Sequence, residues 1–148
     1  MNYDFHIGTI ADVLKVDSQI PEFDGRNTAE KIMKKLADKN ALMLIASFNK
    51  KPVAYKIGYE LSQTEFYSWL GGVSSDHRKQ GIATQLRKKQ ERWAADKGYE
   101  SISVKSMNRF PAMLQMLIGS GYQISGYQDN GSAANSKICF IKHLKEAL

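Results

Sequence analysis

Residues Val73 to Leu86 read Val-Ser-Ser-Asp-His-Arg-Lys-Gln-Gly-Ile-Ala-Thr-Gln-Leu. An apolar strand ends at Val73, a short polar loop follows, and a helix is expected from about Gly81. The start of a helix presents N–H groups that have no partner within the helix, and its dipole favours negative charge there. Arg78 and Lys79 add cations beside those N–H groups. Gly81 and Ala83 are small, so a bulky anion can approach the backbone. The chemistry that suits this spot is the binding of a pyrophosphate. Just upstream, Gly71-Gly72 interrupt the strand. Paired glycines there predict a bulge or close approach by a ligand backbone, and an extended ligand carrying amides can add to such a strand as a pseudo-strand.

The elements that must hold this loop follow from periodicity and turn signals. Phe5 to Ile7 reads as a short first strand. Apolar residues at 10, 13, 14, 16 and 20 predict an amphipathic helix over Ile10 to Ile20, stopped by Pro21. Thr28 is the expected N-cap of a second helix with Ile32, Met33 and Leu36 on its apolar face. Ala41 to Phe48, Val53 to Tyr59 and Phe66 to Val73 form a meander of three strands, turning at Asn49 to Pro52 and at Ser62 to Thr64. The helix from Ile82 to about Lys97 buries Ile82, Leu86 and Trp93 and ends at Gly98. Ser101 to Val104 is a strand, Pro111 to Ile118 a helix with a core stripe of Met113, Leu114, Met116 and Leu117. Tyr122 to Tyr127 and Lys137 to Leu144 close the chain. A strand–helix–strand unit over residues 66–104 implies two parallel strands joined by a right-handed crossover. The expectation is a single α/β domain over residues 1–148, with a mixed sheet of six to seven strands and about four helices on its two faces.

Composition narrows the function classes. The chain has 148 residues, 43% hydrophobic and 24% charged, with a net charge of +6. These are ordinary globular values, and the positive balance favours an anionic ligand. The basic residues are spread along the chain, mostly as solvated helix faces, and no aromatic–basic motif of an RNA-binding sheet is present. No nucleic-acid partner is expected. No apolar run approaches the roughly 20 residues that span a bilayer, and the first residues lack the regions of a signal peptide. A cytoplasmic protein without a membrane partner is expected. The single cysteine, Cys139, rules out an intramolecular disulfide and reads as a small buried hydrophobe. No Cys/His spacing suggests a metal.

Arg78-Lys79-Gln80-Gly81-Ile82-Ala83 resembles the Arg/Gln-x-x-Gly-x-Gly/Ala signature of the GNAT superfamily of N-acetyltransferases. The flanks agree: a strand ending at Val73, Leu86 in the next helix, then Gly98-Tyr99, the strand Ile102 to Lys105, Asn108, and Gly121-Tyr122. The resemblance is strong over residues 41–128 and extends to the first 40 only in layout. It implies acetyl-CoA as cosubstrate. The pyrophosphate would lie on Arg78, Lys79, Gln80, Gly81, Ile82, Ala83 and Thr84, the pantetheine along Gly71, Gly72 and Val73, and Asn108 would contact the pantetheine arm. An N–H near Leu70 or Gly71 would stabilise the oxyanion.

The resemblance leaves the proton transfers open. Family members that acetylate histone lysines carry a glutamate eleven positions before the Arg/Gln, and here that position is Tyr67. A tyrosine, with an ordinary pKa of about 10, is a poor base at neutral pH. Glu65, two residues earlier on the same strand face, is the alternative, acting directly or through a water. Many members carry a tyrosine four residues before the glycine of Gly-Tyr, as general acid. Here that position is Leu117, with Tyr122, Tyr127 or a water as replacements. Glu22 and Asp24 lie in a loop that often shapes the acceptor pocket. The function expected is acetyl transfer from acetyl-CoA to a primary amine, by direct attack in a ternary complex. The acceptor would be a small amine or a peptide, and the catalytic candidates are Tyr67 and Glu65. A homodimer is compatible with this reading. A non-catalytic acyl-CoA sensor is the alternative.

Overall fold

The computed structural model describes residues 2–21 and 27–144. Seven strands and four α-helices follow one another along the described residues. They are β1 (Asp4–Ile7), α1 (Ile10–Asp17), α2 (Ala29–Leu36), β2 (Ala41–Phe48), β3 (Lys51–Glu60), β4 (Glu65–Val73), α3 (Ile82–Asp96), β5 (Ser101–Met107), α4 (Pro111–Gly119), β6 (Gln123–Gln128) and β7 (Lys137–His143). The strands form a mixed sheet in the order β1-β2-β3-β4-β5-β7-β6. The expected α/β architecture is therefore present, with the upper of the two strand counts. The described residues divide into two compact units, Met1–Glu60 with Trp69–Arg92, and Leu61–Ser68 with Trp93–Leu148.

In the first unit, β1, β2 and β3 pair antiparallel, with His6 opposite Ile45 and Ile45 opposite Tyr55. Tyr55 and Ile57 point to one face of β3, where they pack with Ile45 and with Val13, Val16, Ile20 and Ile32 around α1 and α2. Burying side chains of this size contributes about 1.5–3 kcal/mol each. One polar group enters this core. Asp17 accepts hydrogen bonds from the Tyr55 hydroxyl at 2.8 Å and from the Asn27 amide at 2.8 Å, so the buried carboxylate ties the end of α1 to β3 and to the approach to α2. Thr9 starts α1 with a capping box, its hydroxyl accepting from the Asp12 N–H while the Asp12 carboxylate accepts from the Thr9 N–H. The helix ends at Asp17 with Ser18 as its C-cap, three residues before the expected stop at Ile20. The buried Asp17 makes its hydrogen bonds at that end.

In the second unit, Glu65 to Ser68 of β4 pair in parallel with Ser101 to Val104 of β5. Beyond Val104, β5 runs on along β7 to Met107, three residues longer than expected. Phe66 is fully buried, with Trp93 and Tyr99 packed against its ring at centroid distances of 5.2 and 5.3 Å. The helix α4 departs from expectation. Only Leu117 of its apolar stripe is buried, Leu114 and Met116 are half-buried, and Met113 is 45% exposed, as is Ile118 at 57%. A nine-residue helix that is apolar almost all round has more apolar faces than one sheet can cover. Cys139 is half-buried, its Cβ facing Gly126 across the β6–β7 pair.

Candidate active site

The loop from Ser74 to Gly81 belongs to the first unit. Ser74 is buried and its N–H donates to the Val53 carbonyl at 2.8 Å, which fixes where the loop leaves β4. A 3-10 turn covers Ser75–His77. The chain then bends through two left-handed residues, Lys79 at φ 62° and Gly81 at φ 79°. Gly81 accepts the first helical bond from the Gln85 N–H at 3.1 Å, so it is the N-cap of α3. The N–H groups of Ile82, Ala83 and Thr84 are the free donors of that helix start. A Cβ built on Gly81 would meet nothing within 4 Å, so the approach to these donors is open. Arg78, Lys79, Gln80, Ala83 and Thr84 are exposed, while Ile82 is 2% exposed and anchors the first turn in the core. The donor set, the flanking cations and the open approach fit a pyrophosphate.

The loop is braced from the side. The Tyr3 hydroxyl is 3.0 Å from Nδ1 of His77, and Phe48 packs against the same imidazole at 5.3 Å. His77 therefore holds the loop to the residue just before β1 and to β2, a role its neighbours in sequence did not indicate. The partners are 74 and 29 residues away, so no local signal could have revealed them.

Gly71, Gly72 and Val73, in the same unit, are exposed or half-buried although they continue a central strand. A Cβ on Gly71 would lie 3.5 Å from the Tyr55 carbonyl and 4.0 Å from Nζ of Lys56. Lys56 alternates with Tyr55 and Ile57, so it faces away from α1 and α2. The charges that act on it there are Glu91 and Arg87 of α3. Burial pushes the Lys56 pKa from 10.5 down to about 8, Glu91 opposing the change and Arg87 adding to it. Arg87 and Glu91 form an ion pair at 2.9 Å with both side chains nearly buried. The sequence carries a signal for Lys56 that periodicity reading passed over: a lysine inside an apolar strand, flanked on its own face by the small residues Ala54 and Gly58.

In the second unit, Glu65 and Tyr67 lie on the same face of β4, both half-buried. Glu65 accepts a hydrogen bond from the Ser103 hydroxyl at 2.8 Å, so its carboxylate is held by β5. Tyr67 is in register with the same Ser103. The Asn108 amide donates to the Ala133 carbonyl at 3.1 Å, tying the end of β5 to the β6–β7 loop. Tyr122 is buried with the Lys142 ammonium 5.6 Å from its ring, and Tyr127 is exposed on β6. The second unit thus contains Glu65, Tyr67 and Asn108, and the first contains the glycine strand and the phosphate loop. Glu22 and Asp24 lie outside the described residues. Among the described residues no group of three or more His, Cys, Asp or Glu side chains could hold a metal, and no helix is long and apolar enough to cross a membrane.

The sequence profile of the acetyltransferase (GNAT) family matches residues 10–114, which contain β4, the phosphate loop and α3. The chain belongs to that family. Solved acetyltransferase structures share its architecture across nearly the whole chain. A GNAT acetyltransferase from Elizabethkingia anophelis with acetyl-CoA bound has a TM-score of 0.77 and 18% identity, covering 97% of this chain and 99% of its own. The ribosomal-protein-S18-alanine N-acetyltransferase from Escherichia coli has a TM-score of 0.83 and 13% identity, with 99% and 97% covered. An aminoglycoside 6'-N-acetyltransferase complexed with coenzyme A has a TM-score of 0.76 and 13% identity, with 98% and 99% covered. At these identities the likeness bears on the fold. No curated protein sequence matches the chain. As a GNAT acetyltransferase the chain takes acetyl-CoA as its fitting cosubstrate, in agreement with the open helix start at Gly81.

Proposed function

We propose that this GNAT domain transfers the acetyl group of acetyl-CoA to a primary amine by direct attack, both substrates being bound together. The observation that carries the reading is the loop from Arg78 to Thr84: two left-handed residues, an open helix start and exposed cations in front of a buried Ile82. Arg78, Lys79, Gln80, Gly81, Ile82, Ala83 and Thr84 take the pyrophosphate in this reading, Gly71, Gly72 and Val73 line the pantetheine, and Asn108 reaches its arm. Holding the two reactants together supplies most of the acceleration, because a bimolecular step becomes effectively unimolecular. Glu65, held by Ser103, takes the proton of the acceptor amine directly or through water, with Tyr67 beside it on the strand. The acceptor is a small amine or a peptide.

The test is free CoA release on incubation with acetyl-CoA and a panel of amines, peptides and aminoglycosides, alongside calorimetric binding of acetyl-CoA. Turnover with at least one amine is expected. Tight binding without transfer to any of them would instead identify an acyl-CoA sensor. Gly81→Glu places a carboxylate at the helix start in a strained left-handed conformation. It is expected to weaken acetyl-CoA binding at least about tenfold, or roughly 1.4 kcal/mol; unchanged affinity would refute the loop assignment. Glu65→Gln is expected to lower turnover by about 100-fold or more with little change in acetyl-CoA affinity. An unaffected rate would reduce Glu65 to a brace for Ser103.

A further inference from the structure

Acetyl transfer from a thioester to an amine has a second proton to move. The amine nitrogen forms a bond to the carbonyl carbon, the carbon–sulfur bond breaks, and the electron pair of that bond leaves on sulfur. The acceptor nitrogen loses one proton and the sulfur gains one. A thiol has an ordinary pKa of about 8.5, so near neutral pH the departing sulfur ends as a thiol, and a well-placed donor speeds its departure. Leu117 cannot donate, Tyr122 is buried under Lys142, and Tyr127 is exposed on β6.

The Lys56 ammonium lies beside Gly71, on the strand that the proposed pantetheine path follows. Nζ of Lys56 lies 4.0 Å from where a Cβ on Gly71 would be, and Gly71 is an exposed residue in a central strand. Gly71 carries no side chain, so none stands between the ammonium and the strand backbone at that position. Ala54 and Gly58 on either side of Lys56 along β3 are both buried and small, which gives the lysine stem room to reach β4. The surroundings on α3 are polar where a core would be expected. Ile82, Leu86, Gln90 and Ala94 follow one another at the spacing of a single helix face and are all buried. Among the described residues, neither amide atom of Gln90 and not the Nε of Arg87 has a hydrogen-bond partner. Lys56, Arg87 and Glu91 thus form a charged group in the first unit, and Gln90 adds a buried polar side chain to the same helix.

We infer that the Lys56 ammonium is the proton donor to the sulfur that leaves when the acetyl group is transferred. The inference rests on the proposed course of the pantetheine along Gly71 to Val73. Lys56 gives one proton to the sulfur, becomes a neutral amine, and regains a proton from water after CoA departs. Its lowered pKa of about 8 suits the task, since donor and leaving group are nearly matched near the operating pH. The charged groups facing it are Arg87 and Glu91 of α3, the first lowering and the second raising that value; β4 presents the uncharged Gly71.

The experiment uses the whole chain as wild type, Lys56→Met and Lys56→Arg, with folding checked by circular dichroism. Three quantities are measured: CoA affinity by calorimetry, the pH dependence of kcat, and the pKa of the bound CoA thiol by ultraviolet thiolate absorbance. In the wild type, kcat is expected to fall as pH rises through about 8, where Lys56 loses its proton. Lys56→Met is expected to lose about 100-fold in kcat, to lose that basic limb, and to keep CoA affinity within about threefold. Lys56→Arg keeps the charge and cannot give up its proton, since a guanidinium titrates above about 12. It is expected to lose kcat like the methionine variant while still lowering the bound thiol pKa, which Lys56→Met does not. If the wild type binds no CoA, the cofactor reading fails and takes this inference with it. If the wild type turns over and both variants keep its rate and basic limb, only the Lys56 assignment falls. A variant that folds and loses CoA affinity more than about tenfold likewise overturns it, showing that Lys56 serves binding.

Discussion

At the scale of single residues, the informative side chains are those whose environment contradicts their type. Lys56 is a charge in a central strand, and its cost to folding has a definite sign. Its pKa is about 8 in the folded chain and 10.5 otherwise. Between these values the unfolded chain binds more protons than the folded one, so stability rises with pH across that window. Below about pH 8 the full penalty of the buried ammonium is present. Lys56→Met is therefore expected to be more stable than wild type at pH 7 and to lose the upward slope between pH 8 and 10.5; denaturant melts across that range check both. Gly81 is special for the opposite reason. Its φ of 79° and its empty surroundings make it a conformational requirement with no packing duty. Glycine and the Arg-Lys pair were legible because their chemistry is local. The environment of Lys56 was not, because Arg87 and Glu91 reach it from a helix about 30 residues away in sequence.

At the scale of elements, α3 carries two jobs. Its first turn presents N–H groups, and its inner face covers the sheet of the first unit. Gln90 sits within that face with both amide atoms unpartnered among the described residues. Replacing it with an apolar residue of similar shape removes a desolvation cost of about 1–3 kcal/mol. Gln90→Leu is thus expected to raise the urea midpoint, whereas a Gln90 satisfied by ordered water predicts a loss. In α1 the polar core contact works the other way. Tyr55→Phe leaves the buried Asp17 carboxylate with one fewer donor and is expected to cost about 1.5–3 kcal/mol in the same assay. The brace on the phosphate loop is a third element-scale device. Tyr3→Phe removes the hydroxyl that meets His77. It is expected to raise the KM for acetyl-CoA several-fold with kcat nearly unchanged, because it loosens the loop and touches no reacting atom. The boundaries of α1 and β5 shifted by about three residues from the sequence reading. In each case a partner distant in sequence decided the end: Tyr55 and Asn27 at Asp17, and β7 along Met107.

At the scale of the whole molecule, the net charge of +6 and the phosphate loop act together on an anionic cosubstrate. Binding to the native state alone stabilises by mass action, about 2.7 kcal/mol at a hundredfold excess over Kd. For a chain of this length that corresponds to a rise in Tm of roughly 5–10 °C. Acetyl-CoA is expected to produce such a shift, added salt to diminish it, and Gly81→Glu to reduce it by about half or more; a Tm indifferent to acetyl-CoA in the wild type would contradict the cofactor assignment.

The order of strands and helices, the strand–loop–helix context and the signature from Arg78 to Ala83 were all readable in the amino-acid sequence. Each depends on periodicity or on residues within a turn of one another, and together they sufficed for the family and its cosubstrate. The core stripe expected on α4 is only partly buried, since apolarity shows what can be buried and only the packing shows what is: Leu117 is covered and Met113 is not. The fixing of Glu65 by Ser103, the clasp of Tyr3 on His77 and the placement of Lys56 beside Gly71 came from the tertiary structure alone. These contacts join residues 15 to 74 positions apart. Their energies arise from burial and hydrogen bonding that exist only once the strands have paired and the helices have docked.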